Sequence, residues 1–468
     1  MRWCKISPLL MAALLAGCEH PRPRLFDSPP IPAVKIRAFS ADKTNTAPGP
    51  SAFAVSAASG KDSFGSSPQC GRPELAVPAS ESTPTADYLV LSGGSLHGAF
   101  GAGFFLGLQE KGALPPEPRV VTGVSTGSLQ STFLFLARQP VPKDRSYAWM
   151  GGLATEPGNG LPALRAGQSN IEDLALAYSI RREADILRPT PGGDVGFLLK
   201  GAKGSLDPLR NRLLALITPE TIRAIAIEAC RGRKLYVGVV DVDDGYGYAL
   251  DMTALALSAY DGNATDNRMK RVRNSYVEAL IASSSVPVGA KPVELRIRDF
   301  DRPTLEQHRN NLFIDGGARF GVFMQEMRDA HAVARADAPD SQVSMVVNNA
   351  LAIAPWTDSE DLRRPKKGWL ITTLGLRAVE ILESQVYHLS VGLVEAKADH
   401  LRMAFISKDG IVGGEEPDAH LYRGQSCGDL HKQDEVTLHP IQFYPAYMAC
   451  LIDYGRQRGL KGQWNLGS

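Results

Sequence analysis

One local plan, used twice in succession, constrains this chain more than anything else in it. The run YLVLS from Tyr88 is short and β-rich, and it passes at once into Ser92-Gly93-Gly94-Ser95-Leu96-His97-Gly98. An amphipathic helical pattern follows from about Ala99 to Glu110, and Gly112 stops it. Val120 and Val121 then lead into Gly123-Val124-Ser125-Thr126-Gly127, and LQSTFLFLAR continues as an apolar helix. A helix after each strand carries the chain back along the sheet, so the next strand runs parallel to the last. The pattern therefore predicts an α/β fold, with a mostly parallel sheet between helices.

The rest of the chain extends this plan. Residues 204 to 230 read as helical, opened by Ser205 and Asp207-Pro208. KLYVGVVDV, Asp244-Gly245 and YGYALDM read as a hairpin. Its acidic tip superficially suggests calcium, but the glycine falls a residue early for a calcium loop and Met252 stands at the last ligand position. A solvated hairpin tip is the better reading. SYVEALIASSSV, residues 275 to 286, predicts a helix ended by Pro287, and a charged surface insertion is expected from about Arg296 to Asn311. LFIDGG and SMVVNNALAIA read as strands, 369 to 400 as a long helix, RMAFIS as a last strand and PAYMACLIDYGRQRG as a closing helix capped by Gly459.

The N-terminus reads differently. Arg2 and Lys5 precede PLLMAALLA, an apolar run of about nine residues, too short to span a bilayer and suited to a signal-peptide core. It ends in Leu15-Ala16-Gly17-Cys18, which resembles a bacterial lipobox. That resemblance implies cleavage after residue 17 and lipidation of Cys18, a membrane anchor that needs no transmembrane helix. Glu19 lacks the aspartate signal for inner-membrane retention, which favours the outer membrane of the cell envelope. Residues 18 to 86, rich in Pro, Ser, Ala, Gly and Thr, read as a disordered tether, and 87 to 468 as the folded domain.

Six cysteines are present. Cys4 leaves with the signal and Cys18 carries lipid, so Cys70, Cys230, Cys427 and Cys450 remain for an oxidising compartment, with three possible pairings. Cys427 with Cys450 is the favoured pair, Cys70 has the position to pin the tether to the domain, and Cys230 reads equally well as a buried thiol. None of the spacings suits a zinc site. A formal charge of +1 gives no electrostatic footprint for nucleic acid.

Three segments carry chemistry. Gly123 to Gly127 fits G-x-S-x-G, in which small neighbours let a serine stand on a sharp strand-to-helix turn beside the free N–H groups of a helix N-terminus. The glycines at 93 and 94 leave backbone N–H groups approachable by an oxyanion. A phosphate loop of the Walker type would need a Lys followed by Ser or Thr, absent here, and a plain tight turn is the competing account. Asp315-Gly316-Gly317 ends a strand, where a carboxylate can reach a site built by neighbouring strands, although an isolated Asp-Gly is more often a turn.

In that order, GGSLHGAFGAG, GVSTG and DGG resemble the patatin-like phospholipase family, and GSLDPLRNRL and IASSSVPVGAKPV are similar too. The resemblance covers roughly residues 87 to 455. It implies a three-layer α/β fold and a Ser–Asp dyad: Ser125 as nucleophile, Asp315 as its base, and an oxyanion hole from Gly93, Gly94 and Ser95. The substrate would be a lipid ester, and neither metal nor organic cofactor is implied. Acyl transfer on the same dyad, or a non-catalytic binding lipoprotein, are the alternatives. Ser95 stands where the family has a third glycine, and His97 where it has Arg or Lys. A histidine is charged only part of the time near neutral pH, so a fixed cation beside the oxyanion is not expected.

Overall fold

The computed structural model describes residues 29–36, 67–77, 84–150, 164–191, 202–262, 265–287, 289–299, 309–324, 341–351, 371–410 and 419–467. The signal segment and Cys18 lie outside them.

A nine-stranded sheet organises the domain. Its strands are β1 (Ile31–Ile36), β2 (Thr85–Leu91), β3 (Pro118–Val124), β4 (Lys234–Asp241), β5 (Gly247–Asp251), β6 (Val293–Asp299), β7 (Arg309–Asp315), β8 (Gln342–Val347) and β9 (His400–Phe405). The order is β9-β8-β2-β3-β4-β5-β1-β6-β7. The pairs from β9 through β4 are parallel, as the repeated strand–turn–helix plan requires. Beyond β4 the pairing is mostly antiparallel, and β7 returns to pair with the far end of β4, closing five strands into a ring. The principal helices are α1 (Gly98–Lys111), α2 (Thr126–Phe135), α3 (Asn170–Tyr178), α4 (Asp207–Leu216), α5 (Pro219–Cys230), α6 (Met252–Leu257), α7 (Asp266–Ser283), α8 (Ile371–Lys397), α9 (Cys427–Leu438) and α10 (Pro445–Lys461).

Strand side chains alternate between faces, so each buried strand feeds two cores. Leu89, Leu91 and Val121 join the larger core with Phe100, Phe104 and Phe133. Tyr88, Val90 and Val120 join a second with Phe320, Phe323, Val391 and Val394 from α8 and the segment after β7. Helix, sheet, helix is the resulting section, a three-layer α/β architecture.

The structure corrects several expectations. Residues Ile31–Ile36, assigned to the tether, form β1 at the heart of the ring, and Ile31, Ala33, Val34 and Ile36 are buried. Pro32 is tolerated because it falls near the strand's start, where a missing N–H costs least. Helix α1 is not amphipathic: Gly98 through Leu108 are all buried, because α10 covers its outer side. Burying Phe100, Phe104, Phe105, Leu106 and Leu108 contributes about 1.5–3 kcal/mol each. Gly459 does not cap α10, which ends at Gly462 in the left-handed conformation. A side chain at Gly459 would strike the Phe104 carbonyl, so its role is close helix approach. The 204–230 stretch is two helices, broken at Thr218-Pro219, where the Thr218 hydroxyl accepts the Thr221 N–H and caps α5. The supposed insertion from Arg296 contributes to β6 and β7, paired antiparallel, with 300–308 outside the described residues. The hairpin tip is solvated as expected at Val242, Asp243, Gly245 and Tyr246, but Asp241 at its base is buried, and it accepts the Asp243 N–H (2.8 Å) and the Asn311 side-chain amide (2.5 Å). Burial pushes its carboxyl above the usual range.

Two disulfides are present among the described residues, Cys70–Cys230 and Cys427–Cys450. The first fastens the segment before β2 to the end of α5, and the second joins α9 to α10.

Candidate active site

Ser125 sits between β3 and α2 at φ 52°, ψ −123°. A non-glycine residue there costs on the order of 1–3 kcal/mol and persists only when its surroundings over-determine it. They do so here. The Ser125 N–H donates to Ser283 Oγ (3.0 Å), which donates to the Gly238 carbonyl (2.7 Å). The Ser125 carbonyl accepts from the Ser128 hydroxyl (2.6 Å) and N–H (2.9 Å). The glycines of the motif are required by close approach: a Cβ on Gly123 would meet the Gly127 backbone, and one on Gly127 would meet the carbonyls of Leu91 and Ser92 at 2.5 Å. The elbow therefore packs directly against the first glycine turn.

That first turn is held by residues far away in sequence. The Asn348 N–H donates to Ser92 Oγ (2.8 Å), and its side-chain amide donates to the Ser92 carbonyl (2.9 Å) and to Gln130 Oε1 (3.0 Å). Gln130 in turn donates to the Gly98 carbonyl (2.8 Å). Gly94 has φ 139° and lies against the Asn348 carbonyl, so only glycine fits. Ser95 is also left-handed at φ 51°, and its hydroxyl accepts from the Gln442 side chain (2.7 Å). The Gly93 N–H is engaged: it donates to the Gly321 carbonyl (3.2 Å). The N–H groups of Gly94 and Ser95 meet no acceptor among the described residues.

Asp315 is carried by β7. Val124, next to Ser125, pairs with Gly238 of β4, and Asp315 pairs with Val239 of the same strand. Serine and aspartate thus flank β4 on either side, with Cα atoms about two strand spacings, ~10 Å, apart. Gly316 packs on the Gly238 carbonyl at 2.8 Å and on Val124 at 2.9 Å, which brings the aspartate turn against the elbow. Asp315 Oδ1 accepts the Gly317 N–H (2.7 Å), and the Asp315 N–H donates to the Ser285 carbonyl (3.0 Å). Ser125 and Asp315 are 5% and 3% exposed, so water reaches the pair only sparingly.

A cavity opens at Ser125. Its polar lining besides Ser125 is Ser95, Thr126, Arg212, Ser284 and Gln442, and the remaining wall is mostly apolar, with Leu129, Phe133, Leu174, Leu209, Leu213 and Leu216. Phe443 and Met448 close it from the C-terminal segment. That segment is held down by Glu183, whose carboxylate accepts the N–H groups of Ile441 (2.9 Å), Gln442 (2.6 Å) and Phe443 (3.0 Å).

A family model for patatin-like phospholipases matches residues 89–326, slightly more than half of the chain. The chain belongs to that family. Membership makes it a relative of lipid acyl hydrolases and accounts for the three-layer fold around the elbow. Among solved structures, VipD from Legionella pneumophila aligns at a TM-score of 0.25 and 11% identity, covering 80% of this chain and 67% of that one. A likeness at that score carries no argument. No curated protein matches the chain.

This patatin-like site departs from the sequence expectations at its edges. His97 is not a part-time cation. It is half-buried, its Nδ1 lies 3.1 Å from the Gly94 carbonyl, its ring meets Tyr447 edge-on at 5.8 Å, and loss of water around the ring pulls its pKa down to about 4. The imidazole is neutral at pH 7, so its place is to brace the glycine turn. Sequence reasoning missed Asn348, Gln130, Ser283, Gln442 and Glu183, all ordinary polar residues with no local motif. It also missed Tyr387 of α8, a fully buried residue whose hydroxyl occupies the space a side chain at Gly93 would need.

Proposed function

We propose that this protein is a serine acyl hydrolase that cleaves carboxylic esters of lipids through Ser125 and Asp315. The observation that carries the reading is Ser125 itself: a strained serine on a strand-to-helix elbow, facing an apolar cavity, with two uncommitted backbone N–H groups beside it and a carboxylate across one strand. In this mechanism the Asp315 carboxylate takes the Ser125 hydroxyl proton as Oγ attacks the ester carbonyl. The N–H groups of Gly94 and Ser95 and the N-terminus of α2 stabilise the oxyanion. Gly93, whose N–H is committed to Gly321, serves by its lack of a side chain. The C–O bond to the alcohol then breaks, and the alcohol leaves with the proton from Asp315. Water attacks the acyl-enzyme, gives a proton to Asp315, and the fatty acid departs as Ser125 recovers its hydroxyl proton.

The reading extends to location. Residues 1–17 would be a lipoprotein signal, and lipidated Cys18 would hold the domain to the bacterial cell envelope, with the outer membrane favoured by Glu19. No helix among the described residues is long and apolar enough to cross a membrane. Expressed from its full sequence, the Cys18→Ala variant should leave the membrane fraction, and its retention there would refute the anchor.

A fluorophosphonate probe tests the chemistry. It should label Ser125, and Ser125→Ala should lose both labelling and ester hydrolysis with an unchanged circular dichroism spectrum. Hydrolysis retained by a folded Ser125→Ala protein would refute the assignment.

A further inference from the structure

The cavity at Ser125 holds one residue that an acyl pocket does not need. Helix α4 lines it with Leu209, Leu213 and Leu216, and among them stands Arg212, only 4% exposed. Its contacts within the protein are few. Nη1 donates to the Ala177 carbonyl (2.9 Å), and the guanidinium lies over the Trp149 ring at 4.3 Å. Its other N–H groups reach no acceptor among the described residues. Asp185 attracts it from a distance but is not bonded to it, and the Asp185 carboxylate is occupied by the N–H groups of Arg181 (3.0 Å) and Arg182 (3.2 Å). Burial lowers the guanidinium pKa to about 10, which leaves it charged at neutral pH.

A buried cation with one neutral acceptor is costly, and a leucine or methionine would complete the apolar wall at no such cost. Arginine offers a planar fork of donors suited to a carboxylate or phosphate. Two parts of a lipid ester could bring an anion: the acyl chain or the alcohol headgroup. On α4, Leu209 lies three residues before Arg212 and Leu216 four after, so Arg212 shares the helix face whose leucines line the cavity and would receive the acyl chain.

We propose that Arg212 is a specificity determinant that selects esters whose acyl chain carries an anionic group, of the ω-carboxyacyl class. The inference rests on the reading of Ser125 as an ester hydrolase. Its test has a hydrolysis arm and a binding arm. In the first, 4-nitrophenyl monoesters of dicarboxylic acids are compared with matched alkanoates over a series of chain lengths. At one or more lengths the carboxylate-bearing ester should have the higher kcat/KM, by roughly 10- to 100-fold for a charged hydrogen-bonded pair. Arg212→Met should remove that preference chiefly through KM, reducing hydrolysis of the carboxylate-bearing esters far more than that of the alkanoates, and Arg212→Lys should keep part of it. Alkanoates favoured at every length would overturn the proposal. So would equal losses on both ester classes in Arg212→Met, the mark of a structural role. Lysophosphatidic acid preferred over monoacylglycerol, with no preference among the nitrophenyl esters, would move the anion to the headgroup and also overturn it.

In the binding arm, free dicarboxylic acids should raise the melting temperature of Ser125→Ala more than monocarboxylic acids of equal length, and the difference should vanish in the Ser125→Ala, Arg212→Met double variant. This arm does not depend on turnover, so absence of any ester hydrolysis would count against the hydrolase reading alone. Equal shifts from the two acids would count against Arg212.

Discussion

Acidification should weaken this fold through His97. The side chain lies behind the glycine turn with its Nδ1 against the Gly94 carbonyl, and burial holds its pKa at about 4 against an ordinary value of 6.5. Above pH 6.5 the imidazole is neutral in both the folded and the unfolded chain and contributes no pH dependence. As the pH falls below 6.5 the unfolded chain takes up a proton that the folded one refuses, so stability is lost until the folded pKa near 4 is reached, and then the loss levels off. The separation of the two values corresponds to about 3 kcal/mol, most of it, about 2.5 kcal/mol, already lost at pH 4.5. The perturbation is His97→Asn, which keeps a donor for Gly94 and cannot take a charge. Urea unfolding of both proteins at intervals from pH 7.5 to 4.5 gives the difference in stability between them. Asp434, raised by burial, titrates in both proteins and largely cancels in that difference, whereas His431, itself depressed by burial, repels a charged His97 and so adds to the difference. The wild-type protein should lose about 2.5 kcal/mol relative to His97→Asn over the range. Parallel curves would refute a desolvated neutral imidazole, and a wild-type protein that gained on acidification would mean that His97 has an anionic partner.

Three further outcomes follow from contacts in the fold. Asp315→Asn should reduce ester turnover by about 10²–10⁴-fold, the range for loss of a general base, whereas His97→Asn should cost far less at pH 7.5; the reverse order in a nitrophenyl ester assay would exclude the dyad. Arg233→Met should destabilise the domain by about 3–5 kcal/mol in urea unfolding, because the buried guanidinium bonds Glu228 (2.6 Å) and the carbonyls of Phe135 (2.7 Å) and Pro118 (3.0 Å), tying the far ends of α2 and β3 together. Replacing Cys70 and Cys230 by alanine should cost up to about 5 kcal/mol from a link spanning 160 residues, against about 3 kcal/mol for Cys427 and Cys450 spanning 23, and an equal or reversed ranking would show that loop closure is not the dominant effect.

The repeated strand–glycine–helix plan was legible because its signals are local. Each glycine turn announces itself within five or six residues, and the β3–α2 elbow follows from the collision that a side chain at Gly123 or Gly127 would cause. The hairpin of β4 and β5 was legible for the same reason, and so was the long helix α8. The pairing of Cys427 with Cys450, the favoured one of three, joins neighbouring helices. What could not be read depends on distant partners. Nothing about IPAVKI distinguishes β1 from a proline-rich tether until β5 and β6 are there to pair with it. The supposed helix cap at Gly459 has the right residue type for a cap, but the opposing Phe104 carbonyl decides its role.

The same division runs through the site. The serine and the glycine turns that bear the chemistry sit in motifs, because a sharp turn needs particular residues at fixed spacing. The residues that hold those turns do not. Asn348 comes more than two hundred residues after Ser92, to which it donates twice, and Gln442 comes from the far end of the chain to meet Ser95. A side-chain amide can perform that service from any element that passes within reach, so no spacing marks it. Arg212 is the extreme case. In GSLDPLRNRL it reads as the polar position of a leucine-rich helix, whose natural place is the solvent face. In the fold that position lines the cavity of the nucleophile, and its guanidinium has one described acceptor, the Ala177 carbonyl, with its remaining N–H groups left for the cavity.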